Sequence, residues 1–264
     1  MDTWNPDQYH RFRDERSAPF FDLLALVEPS PAPRVVDLGC GTGELTAQAH
    51  ATLGARDTVG VDNSPAMLAE ARQLHVDGLS FRDGDLAQFA DPDGVDVIIS
   101  NAALQWVPGH AEVLTRWRDA LAENGQLAVQ MPTNADHPSH AVAREVAEEE
   151  PFAGAFARAV DGGVPPDPVR QNVMAPEYYS RLLDDLGFAR QHVRIQVYPH
   201  RLASTAEVVE WVKGTSLTRF ERGLPPDLYA EFVDRYRARL IEVLGDHAPY
   251  LYTFKRILFW ARKT

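Results

Sequence analysis

The sequence predicts an α/β protein, a doubly wound and mostly parallel sheet of seven strands carrying a helical cap. Three observations carry that prediction. Short apolar runs without polar alternation recur along the chain, as strands covered on both faces do. Helical segments separate these runs through the first half. A glycine turn directly follows the first run, with Gly39, Gly41 and Gly43 at alternate positions, the nucleotide-binding opening of such a sheet.

The first thirty residues read as helical and mix Trp4, Tyr9, His10, Arg11, Phe12, Arg13 and Arg16. Ser17 followed by Pro19 marks a helix start, and Phe20, Leu23, Leu24 and Val27 then recur at helical spacing. Pro29, Pro31 and Pro33 end that helix as a stiff connector, so residues 1–33 form an N-terminal helical lid. Strands follow at 35–38 and 58–61, separated by a helix from about Glu44 to Leu53 that Gly54 stops. Asn63, Ser64 and Pro65 supply a cap and a first-turn proline for the next helix, through Ala71. A third strand near 79–81 leads into Asp83, Gly84 and Asp85, a fourth spans 95–99, and a fifth spans 126–129 after a turn at Asn124 and Gly125. Residues 34–133 thus make the first half of the core.

Beyond Met131 the rhythm loosens. Residues 134–175 read as helical and loop-rich, with a solvated acidic run at Glu148, Glu149 and Glu150 and a turn at Pro165 and Pro166. A helix from Tyr178 to Leu186 ends at Gly187, and a strand covers 193–198. Further helices from Glu207 to Trp211 and from Leu228 to Leu244 precede a last strand at 251–260, read as antiparallel. Residues 134–264 therefore hold the second half of the core, with cap insertions at about 134–175 and 200–248.

Composition narrows the function. A formal charge of −12 with no dense Lys/Arg run argues against a nucleic-acid face and requires any acidic ligand to meet a local cluster of donors. The single cysteine, Cys40, forms no intrachain disulfide. No leader pattern opens the chain, and no apolar run approaches the ~20 residues of a membrane span, so a cytoplasmic protein without membrane contact is expected. The nine histidines show no metal-ligand spacing. Oligomeric state is not encoded in any recognisable feature.

The glycine turn also discriminates between cofactors. A dinucleotide fingerprint requires Gly or Ala at position 44, where this chain has Glu44, and no Gly-Lys-Ser/Thr follows to make a P-loop. Asp37 and Glu44 flank the turn; such charge repels a diphosphate and suits the ammonium and sulfonium of S-adenosylmethionine. Asp62, ending the second strand about twenty residues on, is placed to accept from ribose hydroxyls, and Asp85 after the third strand from the adenine amino group. Cys40 reads as a small residue tolerated in a tight loop rather than a nucleophile.

Residues 37–43, the segment 61–72 and the stretch Asn101, Ala102, Ala103, Leu104, Gln105, Trp106 resemble the trans-aconitate 2-methyltransferase family. Trp4, Asn5 and Pro6, with segments 15–17, 129–132, 144–147 and 211–212, extend the likeness over nearly the whole chain. The pattern departs most around 151–172. The resemblance implies a Rossmann-like fold, S-adenosylmethionine as cofactor with S-adenosylhomocysteine as product, and methylation of one carboxylate of trans-aconitate. The cofactor set is then Asp37, Gly39, Cys40, Gly41, Gly43, Asp62, Asn63, Asp85, Leu86 and Asn101.

A carboxylate with a reference pKa of ~4 is already nucleophilic at neutral pH, so no catalytic base is required. Proximity and alignment supply catalysis, an effect worth ~7–11 kcal/mol in favourable cases. A small tricarboxylate needs cationic and hydroxyl donors. The candidates are Tyr9, Arg16, Arg144, Tyr198 and His200, with Trp106 either lining the pocket or anchoring the cap. Rival readings are the same fold acting on another small acid, an acyl-carrier thioester or an amine, and a non-catalytic cofactor-binding module. A nicotinamide oxidoreductase is disfavoured by Glu44.

Overall fold

The structure, a computed structural model, describes residues 13–159 and 162–264. Seven strands form one sheet: β1 (Arg34–Leu38), β2 (Asp57–Asp62), β3 (Leu79–Asp83), β4 (Val95–Asn101), β5 (Leu121–Pro132), β6 (Arg190–Leu202) and β7 (Tyr250–Arg262), in the order β3-β2-β1-β4-β5-β7-β6. The first five run parallel, and β7 lies antiparallel between β5 and β6. The order reverses between β1 and β4, which opens a crevice at their carboxyl ends.

Both sheet faces are covered, which explains the continuous apolar strands. Val36, Leu38 and Ile98 pack with Trp117 and Tyr179 on one side, whereas Val35, Val97 and Ile99 pack with Phe20, Leu23 and Trp260 on the other. The N-terminal helix spans Arg13–Leu24, so Pro19 lies inside it rather than in its first turn, correcting the expected start. An internal proline costs about 3 kcal/mol, and full burial of Phe20 and Leu23 at about 1.5–3 kcal/mol each offsets it. The expected turn at Asn124 survives as an irregularity inside β5, with Asn124 at φ 61°.

The terminal strand pair is longer than the sequence pattern indicates. Past the end of β5, where Pro132 pairs with Arg256, β6 and β7 continue alone to the pair Leu202 and Tyr250. Because β6 is an edge strand, it tolerates Pro199 and carries polar residues at most positions. The overhanging stretch places Leu202, Tyr252 and Phe254 in a third core with Phe152, Phe156, Trp211, Phe220, Phe232 and Tyr236. This core holds the helices Pro138–Ala147, Phe152–Arg158, Glu207–Lys213, Thr218–Gly223 and Pro226–Leu244 over one end of the sheet. Among the described residues, no helix is long and apolar enough to cross a membrane.

Candidate active site

The crevice is built on the glycine turn. Gly39, Gly41 and Gly43 all adopt left-handed φ values, of 84°, 56° and 77°. The N–H groups of Gly39 and Cys40 donate to the Val61 carbonyl, at 2.8 and 3.1 Å. Asp62 closes β2 and fastens the turn from the other side: Oδ2 accepts from the Gly41 N–H at 2.8 Å, and Oδ1 from the Ser64 N–H at 2.9 Å. Each oxygen keeps a further lone pair for a ligand hydroxyl.

An outer cavity of about 610 Å³ lies over this turn, within the range of small-molecule sites. Gly39, Gly41, Asp62, Asn63, Asp85, Leu86 and Asn101 line it, so seven of the ten expected cofactor residues come together. Asp85 is exposed, and its Oδ1 also accepts from the Ala87 N–H at 2.8 Å.

The structure does not bring the other three into the lining. Gly43 faces inward, where an added Cβ would stand 2.5 Å from the Phe81 ring. Cys40 is buried against β2; burial first, then the charges of Asp37 and Asp62, push its thiol pKa up and leave it inert. Asp37 lies beneath the turn, 3% exposed, with the Thr46 hydroxyl donating to Oδ2 at 2.6 Å and Oδ1 without a hydrogen-bond partner among the described residues. Burial, opposed by the Thr46 bond and reinforced by Asp62, pushes its pKa up to about 7.

That position has a stability consequence. A carboxylate whose folded pKa is raised stabilises the fold in its protonated form, and this contribution is lost as pH rises towards about 7. The cofactor-free protein is therefore expected to lose about 2 kcal/mol between pH 5 and 8 through this group. Asp37→Asn should flatten that part of the profile in urea unfolding. Parallel profiles for the two proteins would remove Asp37 as the cause.

A second, inner cavity of about 100 Å³ adjoins the first. Asn101, Ala102 and Trp106 line both cavities and form the wall between them. Ala102 holds a left-handed φ of 54°, uncommon for a residue with a Cβ, and its N–H donates to the Gln130 carbonyl at 2.9 Å.

The inner cavity is lined by Gln105, His140, Asp167, Trp211, Ser216, Arg219, Phe254 and Arg256, among others. Asp167 takes a 2.6 Å bond with His140 Nδ1 and stands 3.5 Å from Arg219. Burial raises its pKa, but the bond and charge of His140 and the charge of Arg219 outweigh that and hold it at about 2. Asp167, Pro168 and Val169 come from the divergent segment 151–172, which thus supplies part of the cavity wall.

Of the expected acid-binding residues, Trp106 alone lines a cavity among those described; Tyr9 and the side chain of Arg16 lie outside the described residues. Arg144 pairs with Glu148 at 3.9 Å on the helix Pro138–Ala147. The Tyr198 hydroxyl donates to Asp22 at 2.7 Å. The His200 ring lies tilted against that of Trp211, with centroids 4.6 Å apart, and it is Trp211 that lines the cavity. Sequence reasoning missed Arg219, Arg256, His140, Ser216 and Gln105. One signal was available: Arg256 shares strand parity with Tyr252 and Phe254, so it belongs to the buried face of β7.

A family described as "Methyltransferase domain" matches residues 29–173. A trans-aconitate 2-methyltransferase of Deinococcus radiodurans is 41% identical over 264 residues, covering 99% of this chain and 98% of its own. One from Methylobacterium nodulans is 40% identical over the full length of both chains. The crystal structure of an S-adenosylmethionine dependent methyltransferase from Mesorhizobium loti superposes with a TM-score of 0.52 at 23% identity, covering 93% of this chain and 98% of that one, which establishes likeness of fold.

Proposed function

This chain belongs to the trans-aconitate 2-methyltransferase family, and from that membership we propose that it is an S-adenosylmethionine-dependent O-methyltransferase forming the monomethyl ester of trans-aconitate. The observation that carries the reading is the shared wall. A cavity edged by Asp62 and Asp85 and one edged by Arg219 and Arg256 meet at Asn101, Ala102 and Trp106. Cationic cofactor and anionic acid would thus occupy adjoining compartments that meet at this wall, with Asp62 and Asp85 outweighing Arg222 in the outer one and Arg219 and Arg256 outweighing Asp167 in the inner one.

The residues present fit the cofactor. The turn leaves the Gly39 position without a side chain, where a Cβ would stand 2.2 Å from the Ala103 Cβ, and Asp62 and Asp85 retain acceptor capacity beside it. Asp62 would hold the ribose, Asp85 and Leu86 the adenine end, and Gly39, Gly41 and Asn101 the remainder. When bound, S-adenosylmethionine supplies an electrophilic methyl group that ends on a carboxylate oxygen as an ester, with S-adenosylhomocysteine as co-product and no proton lost or gained. The chain's own residues orient the acid and exclude water from it; Trp106, Trp211, Val212 and Phe254 give the inner cavity apolar walls that favour both.

The test is competition between trans- and cis-aconitate, with ester formation followed by mass spectrometry and S-adenosylhomocysteine counted in parallel. The trans isomer is expected to react faster, because a rigid set of donors leaves a charge unmatched in the wrong isomer. Equal rates would defeat the substrate assignment. Single-turnover rates at saturating cofactor are expected to be flat from about pH 6 to 9, since the nucleophile is already ionised. A tenfold rise per pH unit would point to an amine, thiol or hydroxyl acceptor instead.

A further inference from the structure

We infer that Arg219 and Ser216 form the subsite for a carboxylate that is not methylated, and that this subsite makes the enzyme select acids with more than one carboxylate. The inference rests on the proposed carboxyl methylation and names residues for it.

Arg219 is the most under-satisfied cation of the inner cavity. Its side chain is only 10% exposed, and neither Nε nor Nη1 has a hydrogen-bond partner among the described residues. Its contact with Asp167, at 3.5 Å, is an ion-pair distance without a hydrogen bond, while His140 holds the same carboxylate oxygen at 2.6 Å. The guanidinium is fixed in place by the Phe220 ring, 4.4 Å from its carbon. Burial lowers its pKa, a measure of how little the surroundings compensate its charge.

Ser216 lines the same cavity, and its buried Oγ also lacks a hydrogen-bond partner among the described residues. Buried donors are seldom left unmet in a folded protein, because each forfeits its bonds to water without replacement. A guanidinium with unmet N–H donors and an unmet hydroxyl lining the same cavity are complementary to a carboxylate, which accepts charge-assisted bonds from the first and a further bond from the second.

Geometry assigns this carboxylate a role distinct from that of the reacting one. The reacting group must stand at the wall of Asn101, Ala102 and Trp106, where the two cavities meet; Ser216 and Arg219 line the inner cavity alone. Arg256 supplies a second buried cation on β7. It donates to Gln130 Oε1 at 3.2 Å and lies over the Phe254 ring at 4.7 Å. Arg219 and Arg256 set against Asp167 leave the inner cavity net positive in a protein whose overall charge is −12. A monocarboxylic acid cannot reach the wall and still answer Arg219.

The test is calorimetric binding of tricarballylate, glutarate and butyrate to the full chain saturated with S-adenosylhomocysteine. Wild type is expected to bind tricarballylate at least a hundredfold more tightly than butyrate. Arg219→Gln should weaken tricarballylate at least tenfold, Arg219→Lys at least fivefold because the planar fork is lost, and Ser216→Ala about threefold. Butyrate should hardly change. Affinity for S-adenosylhomocysteine should stay at the wild-type value, which reports an intact fold; Ser216→Ala and Arg219→Lys serve if the glutamine variant does not fold. Wild-type affinity for tricarballylate in these variants, with normal S-adenosylhomocysteine binding, would overturn the subsite while leaving carboxyl methylation standing. A wild type that binds S-adenosylhomocysteine but no tricarballylate would overturn the acid reading and the subsite with it.

Discussion

Replacing Gly39 with alanine is expected to abolish measurable cofactor binding and to lower stability by about 2–4 kcal/mol. Two costs combine. Gly39 holds φ 84°, and placing a residue with a Cβ in left-handed backbone costs about 1–2 kcal/mol. The added Cβ would also stand 2.2 Å from the Ala103 Cβ, a contact no rotamer change relieves because both atoms ride on backbone. Overpacking of this kind costs about 1–3 kcal/mol. Relief requires the turn or the stretch from Asn101 to Ala103 to move. Ala102, in its own left-handed conformation and tied to Gln130, has little freedom to do so. Since that stretch is the wall between the cavities, the damage reaches the acid side as well. Calorimetry with S-adenosylhomocysteine and urea unfolding on the same preparation test both halves; normal binding by the variant would show that the turn is not the cofactor cradle.

Asp62→Ala is expected to weaken cofactor binding at least a hundredfold, more than loss of ligand contacts alone implies. Bonds to a charged acceptor contribute about 1.5–3 kcal/mol each. The substitution removes whatever Asp62 gives the ligand and also its two bonds to the Gly41 and Ser64 N–H groups, so the turn loses its tether to the helix Pro65–Ala71. Asp62→Asn keeps only one acceptor oxygen and should fall between. Asp85→Ala provides the contrast: Asp85 is exposed and caps a single short turn through Ala87, so the loss there should be several-fold smaller. Equal losses at the two positions would mean that the tether contributes nothing.

Why the cofactor half was legible and the acid half was not follows from how each is assembled. The turn from Gly39 to Gly43, Asp62 at the end of β2 and Asp85 after β3 each sit at a fixed place in a strand–turn–helix unit, and parallel pairing aligns those units by register. Local backbone requirements of that kind leave glycines and carboxylates at recognisable spacings, and they sufficed to name seven of the lining residues. Asp37 shows the limit within this half. Its position beside the turn was legible, but its side chain goes down to Thr46 instead of up to the cavity, a matter of packing beneath the strand.

The acid side has no such unit. His140, Asp167, Ser216, Arg219 and Arg256 arrive from separate helices, loops and a strand, and only the overhang of β6 and β7 with its cap core brings them together. A surface arginine and a buried one look alike in a sequence, so Arg144 and Arg219 were indistinguishable until burial separated them: one pairs with Glu148 at the surface, the other lies 10% exposed in a cavity. The sequence by itself determined the sheet, the glycine cradle and the family resemblance. Which cations face the acid was decided by tertiary structure, because desolvation of a charge depends on what packs around it and not on its neighbours along the chain.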